Sequence, residues 1–129
     1  MLRKQFILIC LGVVVLSVAG IALAAAVKVA LVPYAHPGND PTEPDASGHA
    51  ILNYAKGADK TEVQVNCKGL SQEGEYTVYL KPSGWLAIGT FTLRKNGTGN
   101  LHVSLEGDLS GAMPVAVNYG LYDTVLISE

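Results

Sequence analysis

Apolar and polar residues alternate with a period of two through most of the chain beyond residue 48. In the run 61–68, for example, Val63, Val65 and Cys67 alternate with polar side chains. A period of two is typical of a β-strand that buries one face and exposes the other to water. The pattern predicts seven strands, at residues 49–54, 61–68, 75–81, 86–94, 100–106, 114–119 and 124–127.

These short runs predict an all-β domain with antiparallel strands. Gly, Asn and Asp residues separate the runs, and no helical stretch is long enough to connect parallel strands. The clearest hairpin joins runs 86–94 and 100–106, because Lys95-Asn96-Gly97-Thr98-Gly99 supplies glycines for a tight turn. The spacing of the runs predicts a small antiparallel β-sandwich of about seven strands.

Near the N-terminus, a basic pair precedes a long apolar run. Arg3 and Lys4 are followed by 22 uncharged, mostly apolar residues at 6–27. This arrangement is typical of a secretory signal peptide, and small residues offer cleavage sites after Ala24 or Ala26. A run of this length also fits an apolar helix that anchors the protein in a membrane. Both alternatives place the remaining chain outside the cytoplasm, as a secreted, periplasmic or membrane-anchored domain.

Between the apolar run and the β-domain, the chain is rich in proline. Four of its six prolines lie here, at Pro33, Pro37, Pro41 and Pro44. Because proline disrupts helices and strand pairing, this composition predicts an extended, partly stiff linker in which Glu43 and its acidic neighbours are solvated. The sequence thus divides into a signal peptide or anchor at 1–26, a Pro-rich linker at 27–47 and a β-sandwich domain at 48–129.

The charge of the chain narrows the range of partners. Beyond the apolar run, seven Lys or Arg residues face eleven Asp or Glu residues, so this part carries a formal net charge of about −4. Nucleic-acid-binding domains need a basic stripe, so nucleic acid is not an expected partner. A membrane is expected to be contacted only through residues 6–27, if they are not cleaved.

Two residues could carry covalent modifications. Cys67 is the only cysteine beyond the apolar run, and its position in an alternating strand predicts a small core residue. A free thiol that reacts or forms an intermolecular disulfide outside the cytoplasm is the alternative. Asn96-Gly97-Thr98 is an acceptor triplet for N-glycosylation, and the sequence leaves open whether a glycan is attached.

A Gly-Leu corner after the second run resembles a known structural motif. Leu70 precedes Tyr76 by six positions, a spacing similar to the tyrosine corner of fibronectin type III and related immunoglobulin-like sandwiches. The resemblance implies an immunoglobulin-like fold, in which the phenol of Tyr76 bonds to the backbone of the preceding loop. The core tryptophan of that family has no counterpart, because Trp85 follows Pro82-Ser83-Gly84 in a predicted turn.

A second resemblance involves three segments in order: Gly48 to Ala50, the Gly69-Leu70 corner, and Ile88-Gly89-Thr90-Phe91 with the following turn. Their layout is similar to that of CHRD domains and copper-zinc superoxide dismutases. Those relatives carry metal-binding histidines on a strand where this chain has tyrosines. The resemblance therefore implies the fold without the dismutase activity.

Histidines are too few to predict a metal site or a cofactor. The chain has only His36, His49 and His102, whereas copper or zinc needs several imidazole ligands close together. An alternative function is a degenerate dismutase-like or CHRD-like domain with residual metal or redox activity. It would require His49 and His102 to converge with a carboxylate.

No phosphate-binding loop or nucleophile elbow is present in the sequence, so we expect a non-catalytic module. Its role would be binding or structural, with an unknown protein or another envelope ligand as partner. If Tyr76 faces the core, Tyr79 faces outward, and together with Trp85 it is a candidate recognition surface. The alternative is that these aromatic residues only stabilise the sheet by cross-strand packing.

Overall fold

A computed structural model describes residues 26–129, which form eight β-strands and contain no helix. The strands are β1 Ala26–Pro33, β2 Ser47–Ala55, β3 Lys60–Lys68, β4 Glu75–Leu80, β5 Leu86–Thr92, β6 Gly99–Glu106, β7 Val115–Tyr119 and β8 Asp123–Ser128. No membrane-spanning helix is found within this range. The predicted N-terminal helix and the cleavage site at Ala24 lie outside the described residues, and Ala26 is the first residue of β1.

All eight strands belong to one antiparallel sheet, so the predicted all-β class is confirmed. Their order in the sheet is β5-β4-β7-β8-β1-β2-β3-β6. The two end strands, β5 and β6, approach each other, and the sheet is nearly barrel-shaped. Strand β1 pairs with β2 over residues 26–31 and with β8 over residues 31–33, so it joins two four-stranded halves.

The core lies inside this curved sheet. Alternation along β3 turns Thr61, Val63, Val65 and Cys67 inward, as the period of two in the sequence indicates. The largest fully buried hydrophobic side chains are Tyr76, Leu31, Leu52, Leu80, Leu126, Val63, Val65, Val78, Val115, Val117 and Val125. Because these residues come from β1, β2, β3, β4, β7 and β8, both halves of the sheet share one core.

The structure differs from the linker expected at 27–47. Residues 26–33 form β1, an inner strand paired on both sides, and Leu31 is 1% exposed. Residues 34–46 connect β1 to β2, and within this connection Glu43 and Ala46 are also buried. The alternation of Val27, Val29 and Leu31 with less apolar residues satisfies the same period-two rule as the other strands. The β-domain therefore begins at the end of the apolar run.

The pairing of β5 and β6 also differs from the expected hairpin, in which the two strands would be hydrogen-bonded to each other. The turn forms, since Arg94 N–H donates to the Thr98 carbonyl at 2.8 Å, but β5 pairs with β4 and β6 pairs with β3. Side chains fill the space between these two edges. A Cβ atom on Gly89 would lie 2.9 Å from the Leu101 side chain, so the edges approach here through side-chain packing.

Candidate recognition surface

Tyr79 and Trp85 lie together on the outer face of β4 and the loop that follows it. Tyr76, Val78 and Leu80 point into the core, so Tyr79 points outward. The rings of Tyr79 and Trp85 meet edge to face with their centroids 6.3 Å apart. The Lys81 ammonium lies 5.3 Å from the centroid of the Trp85 ring, a cation–π contact.

These two aromatic side chains form one wall of a shallow pocket of about 320 Å³. The remaining lining comes from β7, from β8 and from the turn between them: Ala116, Asn118, Leu121, Tyr122 and Thr124. Leu121 is 61% exposed and Tyr122 is 88% exposed, while Trp85 is 53% exposed. The structure thus gathers most of the exposed large hydrophobic side chains of residues 26–129 around one pocket.

Hydrogen bonds fix the turn that carries Leu121 and Tyr122. The carbonyl of Leu121 accepts hydrogen bonds from the Tyr79 hydroxyl at 3.2 Å and from the Asn118 amide at 3.1 Å. The other end of that amide accepts a hydrogen bond from the Thr124 hydroxyl at 2.8 Å. The polar groups at the base of the pocket are therefore used within the protein, and the surface offered to a ligand is mainly apolar.

The sequence indicates Tyr79 and Trp85 as a candidate surface but does not indicate Leu121 as part of it. The available signal was the Gly120-Leu121-Tyr122-Asp123 segment, in which a short turn between two strands carries two large apolar residues. Turn residues are usually small or polar, so this composition is unusual for its position. Without the order of the strands, nothing in the sequence places this turn beside Trp85.

Leu70 and Tyr76, the residues of the suggested tyrosine corner, are both buried. The Tyr76 hydroxyl accepts a 3.1 Å hydrogen bond from the backbone N–H of Gln72 and donates a 2.8 Å bond to the Glu43 carboxylate. Burial raises the pKa of Tyr76, and the adjacent Glu43 carboxylate acts in the same direction. This corner is a packed and hydrogen-bonded part of the interior.

Cys67 is buried on the inward face of β3, with 4% of its surface exposed. Burial raises the pKa of its thiol to about 12, so the side chain is protonated at neutral pH. Because the thiolate is the nucleophilic form, a buried protonated thiol reacts slowly. In the folded state we therefore expect Cys67 to contribute to packing.

His49 and His102 have separate partners on the outer face of the sheet. The ring of His49 lies 3.3 Å from the Asn66 amide, and the ring of His102 lies 3.2 Å from the Glu62 carboxylate. Within residues 26–129, no group of three or more His, Cys, Asp or Glu side chains could hold a metal ion. His49 thus has an amide rather than a carboxylate beside it.

Asn96 is exposed at the turn between β5 and β6. Its side-chain oxygen accepts hydrogen bonds from the backbone N–H of Thr98 at 3.2 Å and from the Thr98 hydroxyl at 2.6 Å. This local arrangement is typical of an Asx-turn. The acceptor triplet therefore has a structural role in the turn whether or not it carries a glycan.

Comparison with known proteins assigns no family to this fold and surface. The similarities to fibronectin type III, immunoglobulin-like and CHRD domains thus stay predictions that rest on a few positions. No protein-family model matches the chain, and a search of curated proteins finds no significant match.

Proposed function

We propose that this protein is an exported, non-catalytic binding module that recognises its ligand through the aromatic pocket of Tyr79, Trp85, Leu121 and Tyr122. One observation carries the proposal: the exposed side chains of Trp85, Leu121 and Tyr122 line the same preformed pocket, and Tyr122 is 88% exposed. Large aromatic side chains that cluster on a surface are typical of binding sites, where they supply most of the binding energy.

The chemistry of the pocket favours a ligand with an apolar or planar group. No Asp or Glu lines the pocket, and the polar groups at its base are already hydrogen-bonded to each other. Its volume is at the lower end of the range of about 300 to 1,000 Å³ that is usual for ligand pockets. One inserted side chain of a protein in the envelope or outside the cell fits this size.

Export is supported by the basic pair Arg3 and Lys4 and the apolar run that follows. Cleavage after Ala24 would leave the whole of β1 in the mature protein, since β1 starts at Ala26. If the run were retained as an anchor, the sheet would start directly at the membrane without a spacer.

We also propose that the two four-stranded halves correspond to the layers of an immunoglobulin-like sandwich.

Site-specific photo-crosslinking in the native cell tests the recognition surface. A photoreactive phenylalanine analogue at position 122 should form a defined crosslinked product, because this position lies at the rim of the pocket. The same analogue at position 56, an exposed turn position between β2 and β3, is the matched control. Introducing Trp85→Ala should abolish the product formed from position 122. Equal products from both positions, or a product that persists with Trp85→Ala, would overturn the proposal.

A native mass spectrum of the intact protein isolated from its own cells tests the proposed export. A mature chain that starts near Ala25 or Val27 would support cleavage and secretion. A full-length chain recovered from the membrane fraction would support the anchored form. A full-length chain in the cytoplasmic fraction would overturn export. The same spectrum reports a bound metal, a glycan at Asn96 and a covalent dimer through Cys67.

A further inference from the structure

A second and larger groove lies on the outer face of β2, β3 and β6, away from the aromatic pocket on β4, β7 and β8. Its volume is about 680 Å³, and the turn between β5 and β6 forms one side. Its floor contains a row of three polar residues that are paired directly across the strands: His49, Asn66 and Asn100. Neighbouring strands lie about 4.8 Å apart, so these groups are spaced regularly across the groove.

Two cations border this row. Lys68 follows Asn66 on the same face of β3, and Arg94 donates a 3.4 Å hydrogen bond to the side-chain oxygen of Asn100. Both side chains are exposed, and within residues 26–129 neither forms a salt bridge with a carboxylate. No Asp or Glu lines the groove. With two cations and no carboxylate in its lining, the groove is locally positive, although the chain is negative overall.

The remaining lining offers neutral hydrogen-bonding groups. Ser47, Asn96 and Thr98 join the two asparagines of the row, so amides and hydroxyls line the groove together with the two cations. The Thr98 hydroxyl donates to the Asn96 side-chain oxygen, and its own oxygen can still accept a hydrogen bond. Amides and hydroxyls both donate and accept hydrogen bonds, which matches the hydroxyl groups of a sugar. A guanidinium group binds a carboxylate through two parallel hydrogen bonds. A single small anion would occupy only a small part of the groove.

We propose that this groove binds an acidic saccharide. The sugar hydroxyls contact Asn66, Asn100 and Thr98, and the acidic group contacts Arg94 and Lys68. The site is distinct from the aromatic pocket, so it does not depend on the function proposed above.

Ligand-detected nuclear magnetic resonance with the intact protein tests this site. Three probes are compared at the same ionic strength: digalacturonate, the neutral disaccharide galactobiose and sodium acetate. Digalacturonate should bind about tenfold more tightly than either of the other two, because only it supplies both the charge and the hydroxyl groups. Equal binding of galactobiose or equal binding of acetate would overturn the proposal, as would no detectable binding of digalacturonate.

Matched variants locate the binding. Arg94→Gln and Lys68→Gln should each weaken digalacturonate binding about tenfold. Lys60→Gln is the control, because Lys60 lies on the same face at the other end of β3 and is outside the groove. Trp85→Ala should leave digalacturonate binding unchanged, which separates this site from the aromatic pocket. An equal loss of binding in Lys60→Gln or in Trp85→Ala would contradict the assignment to this groove.

Discussion

The Tyr76 hydroxyl donates a 2.8 Å hydrogen bond to the carboxylate of Glu43, and both side chains are buried. Glu43 lies in the connection between β1 and β2, whereas Tyr76 is at the start of β4. Three further hydrogen bonds reach the same carboxylate, from the backbone and hydroxyl of Ser71 and from the amide of Gln72. The connection is therefore fixed onto the corner between β3 and β4.

Replacing Glu43 should destabilise the fold strongly. Glu43→Ala leaves the donors of Ser71, Gln72 and Tyr76 without their acceptor, and a hydrogen bond to a charged group contributes about 1.5 to 3 kcal/mol. We expect a loss of about 2 to 4 kcal/mol in the free energy of unfolding, measured by urea denaturation. Asp40→Ala, at an exposed position of the same connection, is the control and should change stability by less than about 0.5 kcal/mol.

A double-mutant cycle isolates the contact between the two residues. Tyr76→Phe keeps the buried ring and removes only the hydroxyl, so it should cost about 1 to 2 kcal/mol. The loss in the double variant Glu43→Ala/Tyr76→Phe should be smaller than the sum of the two single losses by at least about 0.5 kcal/mol, because both substitutions remove the same contact. Strict additivity would show that the carboxylate and the hydroxyl do not interact in solution.

The sequence predicts elements whose pattern is local and misses contacts that depend on the order of the strands. Alternation alone identifies β3 and the inward position of Cys67. Strand β1 was missed because its alternating residues, such as Val29 and Leu31, merge with the apolar run and precede the prolines. Burial of Glu43 depends on donors at positions 71, 72 and 76, which no local rule connects to residue 43.

For the candidate recognition surface, too, the sequence predicts the local feature and misses the contact between distant strands. The alternation along β4 correctly indicates that Tyr79 faces outward, opposite Val78. The partnership of Trp85 with Leu121 requires β7 to pair with β4, a contact between strands about 40 residues apart in the chain. Side-chain periodicity gives the face of a strand but does not give its neighbour in the sheet.

Strand β1 should be required for stability, in contrast to a linker. Leu31→Ala removes a side chain that is 1% exposed, and such substitutions in a packed core cost about 2 to 5 kcal/mol. We expect a loss in this range in the free energy of unfolding, measured by urea denaturation. Ala30→Ser, at the adjacent exposed position of the same strand, should cost less than about 1 kcal/mol. A Leu31→Ala variant as stable as the unmodified protein would show that residues 26–33 act as a linker and not as a core strand.

Alkaline pH should destabilise the protein through Cys67. Burial raises the thiol pKa from its ordinary value of 9.0 to about 12, so the unfolded chain releases this proton at a lower pH than the folded protein. Stability is therefore complete below pH 9 and is lost as pH rises toward 12. Between pH 8 and pH 10.5, this loss is on the order of 2 kcal/mol.

The control for this pH dependence is Cys67→Ala. The variant has no thiol to titrate, so its free energy of unfolding should fall less steeply over the same pH range. The two proteins are compared by the slope of the free energy of unfolding against pH, because removal of the buried side chain also lowers stability at every pH. Parallel curves for the two proteins would show that the thiol of Cys67 is not protected from ionisation in the fold.

Trp85 should matter little for stability, unlike a core aromatic residue. Its contacts with Tyr79 and Lys81 are exposed, and such contacts contribute about 0.5 to 1.5 kcal/mol. Phe91 is 7% exposed and stacks on Tyr76 with ring centroids 5.5 Å apart, so Phe91→Ala should cost about 3 to 5 kcal/mol. The free energy of unfolding of both variants is measured by urea denaturation followed by circular dichroism. Tryptophan fluorescence cannot be used, because Trp85→Ala removes the only tryptophan. A loss above about 2 kcal/mol for Trp85→Ala would favour a structural role for this residue.

Removal of residues 125–129 should prevent folding. Strand β8 lies between β7 and β1, so its loss separates the two halves of the sheet and removes Val125 and Leu126, which are both fully buried. The truncated protein should lack the β-sheet signal in circular dichroism and should be degraded rapidly by proteases. Removal of Glu129 alone is the control, because this exposed residue lies outside β8 and its N–H makes one hydrogen bond, to the carbonyl of Ala30. A truncated protein that stays folded would show that β8 is not needed to hold β1 against the sheet.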